Sequence, residues 1–304
     1  MGILQAILVS MPGAVAQGLI WGIMAIGVYI TFKVLDFADL TVDGSICTGM
    51  AVCAMLIAAG WNVWLAMLAA LLAGMLTGLV TGLFHTLLGI PAILSGILTQ
   101  LILWSMNLVI MGKANQPVNA MRVPLLVTRL HLTESILILI AFNLVLIGVL
   151  YWFFGTEFGS ALRATGCNKN MARAQGINTN LHTVFALMLS NGIVALSGAL
   201  LAQYQGSADI NNGRGAIVIG LAAVIIGEAI VSKISRNFIV RLLGVALGAV
   251  IYYIVYQIVI GLRIPTDLLK MLSAIVVAIF LAVPYWKKKF AKPLRKEAPQ
   301  NAET

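Results

Sequence analysis

The stretch Val34–Ser45, VLDFADLTVDGS, places three acids, Asp36, Asp39 and Asp43, between two long apolar runs. An acid at the centre of a lipid-spanning helix costs roughly 2.5–3.5 kcal/mol even on the lenient insertion scale. Such residues therefore stay in water or face a polar cavity inside the protein. The choice decides whether the run that follows, residues 40–59, is an ordinary span or a broken one.

Composition sets the frame. The chain is 61% hydrophobic and 10% charged, with a mean hydropathy of +1.02. A soluble domain is nearer half apolar and about a quarter charged, so this is a polytopic membrane protein. The net charge of +9 does not call for nucleic acid. Six of the 19 basic residues sit in one tail, WKKKFAKPLRK (286–296), after the last apolar run. A basic flank beside a span reads as a cytoplasmic anchor. Cys47, Cys53 and Cys167 form no CxxC and no disulfide framework. The first apolar stretch follows no basic region and no small-residue cleavage site, and it reads as a retained span.

Runs of about 20 apolar residues fit the hydrocarbon core. They fall near 11–31, 40–59, 61–84, 91–112, 134–154, 181–203, 213–231, 238–260 and 267–285. The second and seventh are weak. Each begins in polar sequence rich in Gly, Asp and Asn, as a broken or re-entrant helix would. With the Lys-rich C-terminus inside, parity puts loop 155–180 inside and the N-terminus outside. Loop 113–133, with Lys113, Arg122 and Arg129, opposes this scheme by landing outside.

Three feature pairs recur in the same order. Asp43 in DLTVDG matches Asp209 in SADINNG; Gly78 in GMLTGLVTG matches Gly248 in GVALG; Pro91 in GIPAILSG matches Pro265 in RIPTDLLK. The offsets are 166, 170 and 174 residues. Equivalent spans then lie an odd number of crossings apart, so the halves are inverted, a signature of transporters whose path runs between the halves. The expected fold is all-α: about eight to ten transmembrane or broken helices in two inverted pseudo-repeats, near 11–154 and 181–285. Loop 155–180 joins them and a basic tail, 286–304, follows. Asp43, Asp209, Asn211 and Asn212 become candidates for the border of a polar path. For Asp43 a plain helix cap fits equally well. Asp36 and Asp39 read as solvated loop. The glycines at 74, 78 and 82 form a small-residue face, best explained by packing within the chain.

Catalytic motifs are absent. None of His85, His131 and His182 precedes a Glu, so there is no HExxH, and there is neither GxSxG nor GxxxxGK[ST]. The chain is expected to be neither an enzyme nor a metal or cofactor protein, and it binds no ATP through a phosphate loop.

Loop 155–180, GTEFGSALRATGCNKNMARAQGINTN, is longer than an ordinary connection. Its apolar points (Ala161, Leu162, Ala172, Ile177) and dividing glycines (159, 166, 176) suit a short helix with contacts for a partner. This loop and the following span resemble permeases of the branched-chain amino-acid and ribose class of ABC importers. The carrying pattern is Gly159, Leu162, Arg163 and Ala164, then Ala172, Gly176 and Ile177. Asp36-Phe37-Ala38 resembles an Asn-Phe-Ala trio of the same class, and LTVDGS resembles a subgroup linked to aromatic amino acids, notably tryptophan.

The resemblance implies a multi-pass protein of a prokaryotic cell (inner) membrane, paired with a second copy of itself. It implies an ATPase subunit, carrying ATP and Mg, docked on the loop at Gly159, Leu162, Arg163, Ala164, Ala172, Arg173, Gly176 and Ile177. An external substrate-binding protein would deliver the solute. The competing reading is a self-sufficient secondary transporter, which also uses inverted repeats and needs a coupling-ion site. Glu228 is the main intramembrane acid for that role, and pairing with Lys233 or Arg236 is its simpler explanation.

Overall fold

The computed structural model describes residues 3–118, 125–231 and 237–261, with scattered positions between 271 and 282. The ninth span, Lys233, Arg236, Pro265 and the basic tail lie outside the described residues or nearly so.

Lipid offers no partner to backbone N–H and C=O groups, so each apolar run closes its hydrogen bonds as a helix. In order these are α1 (Ile3–Tyr29), continued by a π-helical turn (Ile30–Val34), α2 (Val42–Ala58), α3 (Val63–Thr86), α4 (Ala92–Met111), α5 (Leu132–Gly155), α6 (Glu157–Cys167), α7 (Lys169–Ala174), α8 (Thr179–Gln205), α9 (Ala216–Val231) and α10 (Phe238–Gly261). Six of them, α1 with its π-turn, α3, α4, α5, α8 and α10, are long and apolar enough to cross a membrane. The protein is an all-α, multi-pass membrane protein.

The short apolar helices are α2 and α9, the two expected to be weak. They have 17 and 16 residues. At 1.5 Å per residue that is about 25 Å, short of a core about 30 Å thick. A non-helical segment carrying acids precedes each: residues 35–41 before α2 and 206–215 before α9.

Local chemistry sets the ends. Gly112 and Gly206 take left-handed φ values of 68° and 72°, and their N–H groups bond back to Leu108 and Ala202, closing α4 and α8. Just beyond these stops, β1 (Asn115–Pro117) pairs antiparallel with β2 (Ser207–Asp209), Asn115 opposite Asp209. This small ribbon ties the loop after α4 to the segment leading into α9. Sequence alone gave no sign of it.

α1 and α8 are the most buried spans, while α4 and α5 leave most of their surface exposed on the single chain. α3 packs on α8 and α10 on α1, with α2 against α3 and α8, and α9 against α10 and α1. Exchanging α3 with α10, α8 with α1 and α2 with α9 maps these pairs onto one another. The glycines do not follow the same exchange. Gly74, Gly78 and Gly82 let α3 meet the backbone of α8 at Asn191, Leu187 and Val184, so the ladder serves packing within the chain. Gly244 and Gly248 face α9, at Gly227 and Ala223, and the α1–α10 contact is opened instead by Gly18 and Gly22 of α1. The expected equivalence of Gly78 with Gly248 therefore fails in detail: the small residue has moved to the other helix of the pair.

Candidate functional site

The acidic stretch divides its three carboxylates among three environments. Asp36 is exposed and holds φ 55°, a left-handed conformation that Asp tolerates better than most side chains. Asp39, read from sequence as solvated, is only 2% exposed. The chain turns inward after the π-turn, and Gly96 of α4 gives room for the backbone at Leu40. Asp39 Oδ1 accepts the Thr41 N–H at 2.9 Å, and Oδ2 accepts the Asn191 amide of α8 at 2.7 Å. Asn191 Oδ1 accepts the Ser45 hydroxyl at 2.6 Å, and Ser45 meets Thr77 at 2.7 Å. A second branch runs from Thr41 to Thr81 at 2.7 Å and on to Thr99 at 2.9 Å. These buried hydroxyls and amides stitch α2, α3, α4 and α8 together. Sequence reasoning missed the network. Its visible signs were Asn191 in an apolar run and Thr77 and Thr81 set beside the glycine ladder.

Asp43 lies in the first turn of α2 but does not cap α2. Its carboxylate reaches across to the start of α9, taking the Gly215 N–H on Oδ2 at 2.9 Å and the Ile217 N–H on Oδ1 at 2.8 Å. Two helix beginnings thus share one carboxylate. Both ends carry partial positive charge and unpaired N–H groups, which an anion stabilises. The close approach needs Gly213, where any side chain would strike the Asp43 carbonyl; its N–H donates to Cys47 Sγ at 3.1 Å.

The junction lies deep. The α1 span covers Val9–Val34. Gly220, one turn into α9, packs against Met24 and Val28, and Glu228 further on pairs with Lys33 at 2.8 Å. The first turn of α9 is therefore level with the middle of α1. Lys33 accounts for Glu228.

The sequence candidates around α9 cluster here as well. Asp209 Oδ1 accepts the Asn211 N–H at 2.7 Å and its Oδ2 accepts the Asn115 amide at 3.2 Å, while Asn212 donates to Gln205 at 2.7 Å. These three residues shape the turn between β2 and α9. Asp43 instead borders a cavity of about 200 Å³ lined also by Gly44, Cys47, Ile210 and Arg214 and by Gln100, Leu101, Trp104 and Asn107 of α4.

Loop 155–180 holds two helices where one was expected. Thr156 caps α6 through the Gly159 N–H, and Asn168 caps α7 through the Asn170 and Met171 N–H groups. Gly159, Leu162 and Thr165 form the buried side of α6. Gly159 abuts the Phe153 carbonyl and Gly166 the Val34 carbonyl of the π-turn. Phe158 stacks on His182 at 4.5 Å, fixing α6 to α8. Ala172 is buried, Ala164 and Ile177 are half-buried, and Gly176 takes φ 79°. Arg163 and Arg173 are exposed yet hold their own chain: Arg163 donates to the Phe154 carbonyl at 2.7 Å and Arg173 to the Thr179 hydroxyl at 2.9 Å. Met171, at 54% exposure, is the large apolar side chain this loop presents outward. Since α8 starts after α7 and ends before β2, the loop and the β-ribbon lie at opposite ends of α8.

Known proteins resemble this chain in sequence over most of its length. A tyrosine transport system permease protein of Clostridioides difficile (strain R20291) is 38% identical, the match covering 88% of each chain. The uncharacterized protein RP368 of Rickettsia prowazekii (strain Madrid E) is 33% identical, over 88% of this chain and 95% of the relative. The autoinducer 2 import system permease protein LsrC of Salmonella typhimurium is 31% identical over 41% of this chain and 35% of its own. No solved structure matches significantly. The profile of the branched-chain amino acid transport system permease components matches residues 10–282. With eight apolar helices among the described residues and a match across nearly its whole length, the chain belongs to the branched-chain amino acid transport system permease family.

Proposed function

We propose that the chain is the membrane-spanning subunit of an ATP-driven, binding-protein-dependent importer of a small solute, an amino acid and in first place an aromatic one. The observation that carries this reading is the family match over residues 10–282. The relative named for tyrosine transport supports the aromatic preference. A separate ATPase supplies the hydrolysis, an external protein delivers the solute, and a second copy of the chain completes the membrane part.

In this reading α6 and α7 are the docking surface for the ATPase. α6 is wedged between the end of α5, the start of α8 and the π-turn of α1, so a push on it moves those elements as a body rather than bending a loop. The π-turn leads directly into residues 35–41 and the α2–α9 junction, which borders the path. π-helical turns are frequent at functional sites, and here the turn is the link between the coupling loop and the junction. The α2–α9 pair also serves as the meeting point of two inverted halves, an arrangement supported by the exchange symmetry of the helix pairs.

Charge reversal at Arg163 or Arg173 would disturb the loop's own hydrogen bonds, so the outward side chains are the better probes. Met171→Glu, alone or with Lys169→Glu, is expected to weaken ATPase co-purification by roughly tenfold or more, as for an interface anchor. Expression and thermal stability of the permease should stay unchanged. Normal assembly and normal transport-coupled hydrolysis in the double variant would remove this face from the contact.

A further inference from the structure

We propose that the cavity between the first turn of α2, α4 and the turn before α9 is a subsite for a zwitterionic amino acid with an apolar side chain. The proposal rests on the importer reading and names the solute class and the residues that meet it.

The decisive residue is Asn107. It is 1% exposed, it lines the cavity, and neither its amide nitrogen nor its amide oxygen has a hydrogen-bond partner among the described residues. A buried amide left unpaired is destabilising, and native proteins avoid it unless something else supplies the partners. An amino acid supplies both: its carboxylate accepts from the amide nitrogen and its ammonium donates to the amide oxygen.

Charge is arranged for the same ligand. Asp43 uses two acceptor positions on the Gly215 and Ile217 N–H groups, and an ionised carboxylate has about four. The remaining positions suit an ammonium. Arg214, an exposed residue of the same lining, carries a guanidinium that suits a carboxylate. Gln100 adds a second amide one turn from Trp104, and Leu101 with Trp104 makes the apolar wall. Asp43 is held in place by α9 backbone, so its position does not depend on the solute. A cavity of about 200 Å³ lies below the usual range for drug-sized ligands and fits a single small molecule. A sugar carries no charge to pair with either group. A simple amine or a simple acid would satisfy only one end.

The test uses the purified permease in lipid nanodiscs and, separately, the complete importer with its ATPase and binding protein. The probes are L-tyrosine, L-tryptophan and L-leucine, with tyramine and 3-(4-hydroxyphenyl)propionate as analogues lacking the carboxylate or the ammonium. Wild-type permease is expected to bind at least one of the amino acids saturably, and each analogue more weakly. Asn107→Leu and Arg214→Gln are each expected to weaken that binding by roughly tenfold. Asn107→Leu should also hold or raise the thermal midpoint of the ligand-free protein, because it removes an unpaired buried amide. A purely structural Asn107 would lower the midpoint and leave affinity alone. The subsite is overturned if wild-type permease binds none of the amino acids up to their solubility limits, or if both variants bind and transport like wild type. In either case, ATP-dependent uptake by the complete wild-type importer leaves the importer reading intact. Absence of that uptake would count against the importer reading itself.

Discussion

Asp39→Leu is expected to leave little folded permease in the membrane. The substitution deprives the Thr41 N–H and one N–H of the Asn191 amide of an acceptor, and both groups are buried. Each donor left unpaired costs about 1–3 kcal/mol; the Asn191 amide keeps only its bond to the Leu187 carbonyl. The combined penalty is comparable with the whole stability of many domains. Yield after detergent extraction and the unfolding midpoint are the measurements. Asp39→Asn keeps one acceptor and the side-chain shape. It should fold, with a lower midpoint, and should keep ATP-driven uptake with an unchanged pH profile. Loss of uptake in a well-folded Asn variant would instead mark Asp39 as an ion-coupling acid, the one described feature that favours a secondary transporter.

Asp43→Ala is the second large effect. It removes two hydrogen bonds from a charged acceptor, each worth about 1.5–3 kcal/mol, and unpins the first turn of α9. The expected result is a fall of several degrees in the unfolding midpoint together with near-complete loss of uptake, while the ATPase still co-purifies. Asp43→Asn is informative because the bonds are divided between both oxygens. An amide offers one acceptor oxygen, so one of the Gly215 and Ile217 N–H groups faces an NH₂ group. Asn is therefore expected to be intermediate in stability and poor in uptake. If uptake by the Ala variant equals that of wild type at equal expression, Asp43 has no part in the path.

Much of this was legible in the sequence because lipid imposes a simple rule. A run of about 20 apolar residues must become a helix, and eight of the nine expected spans have described helices at nearly the expected places. The weakness of the second and seventh was visible for the same reason: their polar openings, LTVDGS and INNGRG, cannot lie in lipid. The pairing between these openings was not visible. The bonds from Asp43 to Gly215 and Ile217 join positions some 170 residues apart, and no local pattern encodes them. Asp39 misled because an acid beside Asp36 in a short connection looks hydrated, and its burial depends on Asn191 half a chain away. Asn107 was passed over because one Asn in an apolar helix is unremarkable until its surroundings show that no described residue pairs with it. The loop was read more fully. Of its three dividing glycines only Gly176 stands at a break, since Gly159 and Gly166 lie inside α6 at close approaches, and the two arginines expected to meet a partner bond within the loop and its flanking helices.

The central claim is that this chain moves solute only as one part of an ATP-driven assembly. The most direct measurement is uptake of labelled L-tyrosine and L-tryptophan into proteoliposomes. One set holds the permease alone under imposed proton and sodium gradients; the other holds the permease with its ATPase, ATP and Mg inside, and the binding protein outside. The expected result is accumulation in the second set only, abolished when ATP is replaced by a non-hydrolysable analogue. Accumulation by the permease alone, driven by either gradient, would contradict the account.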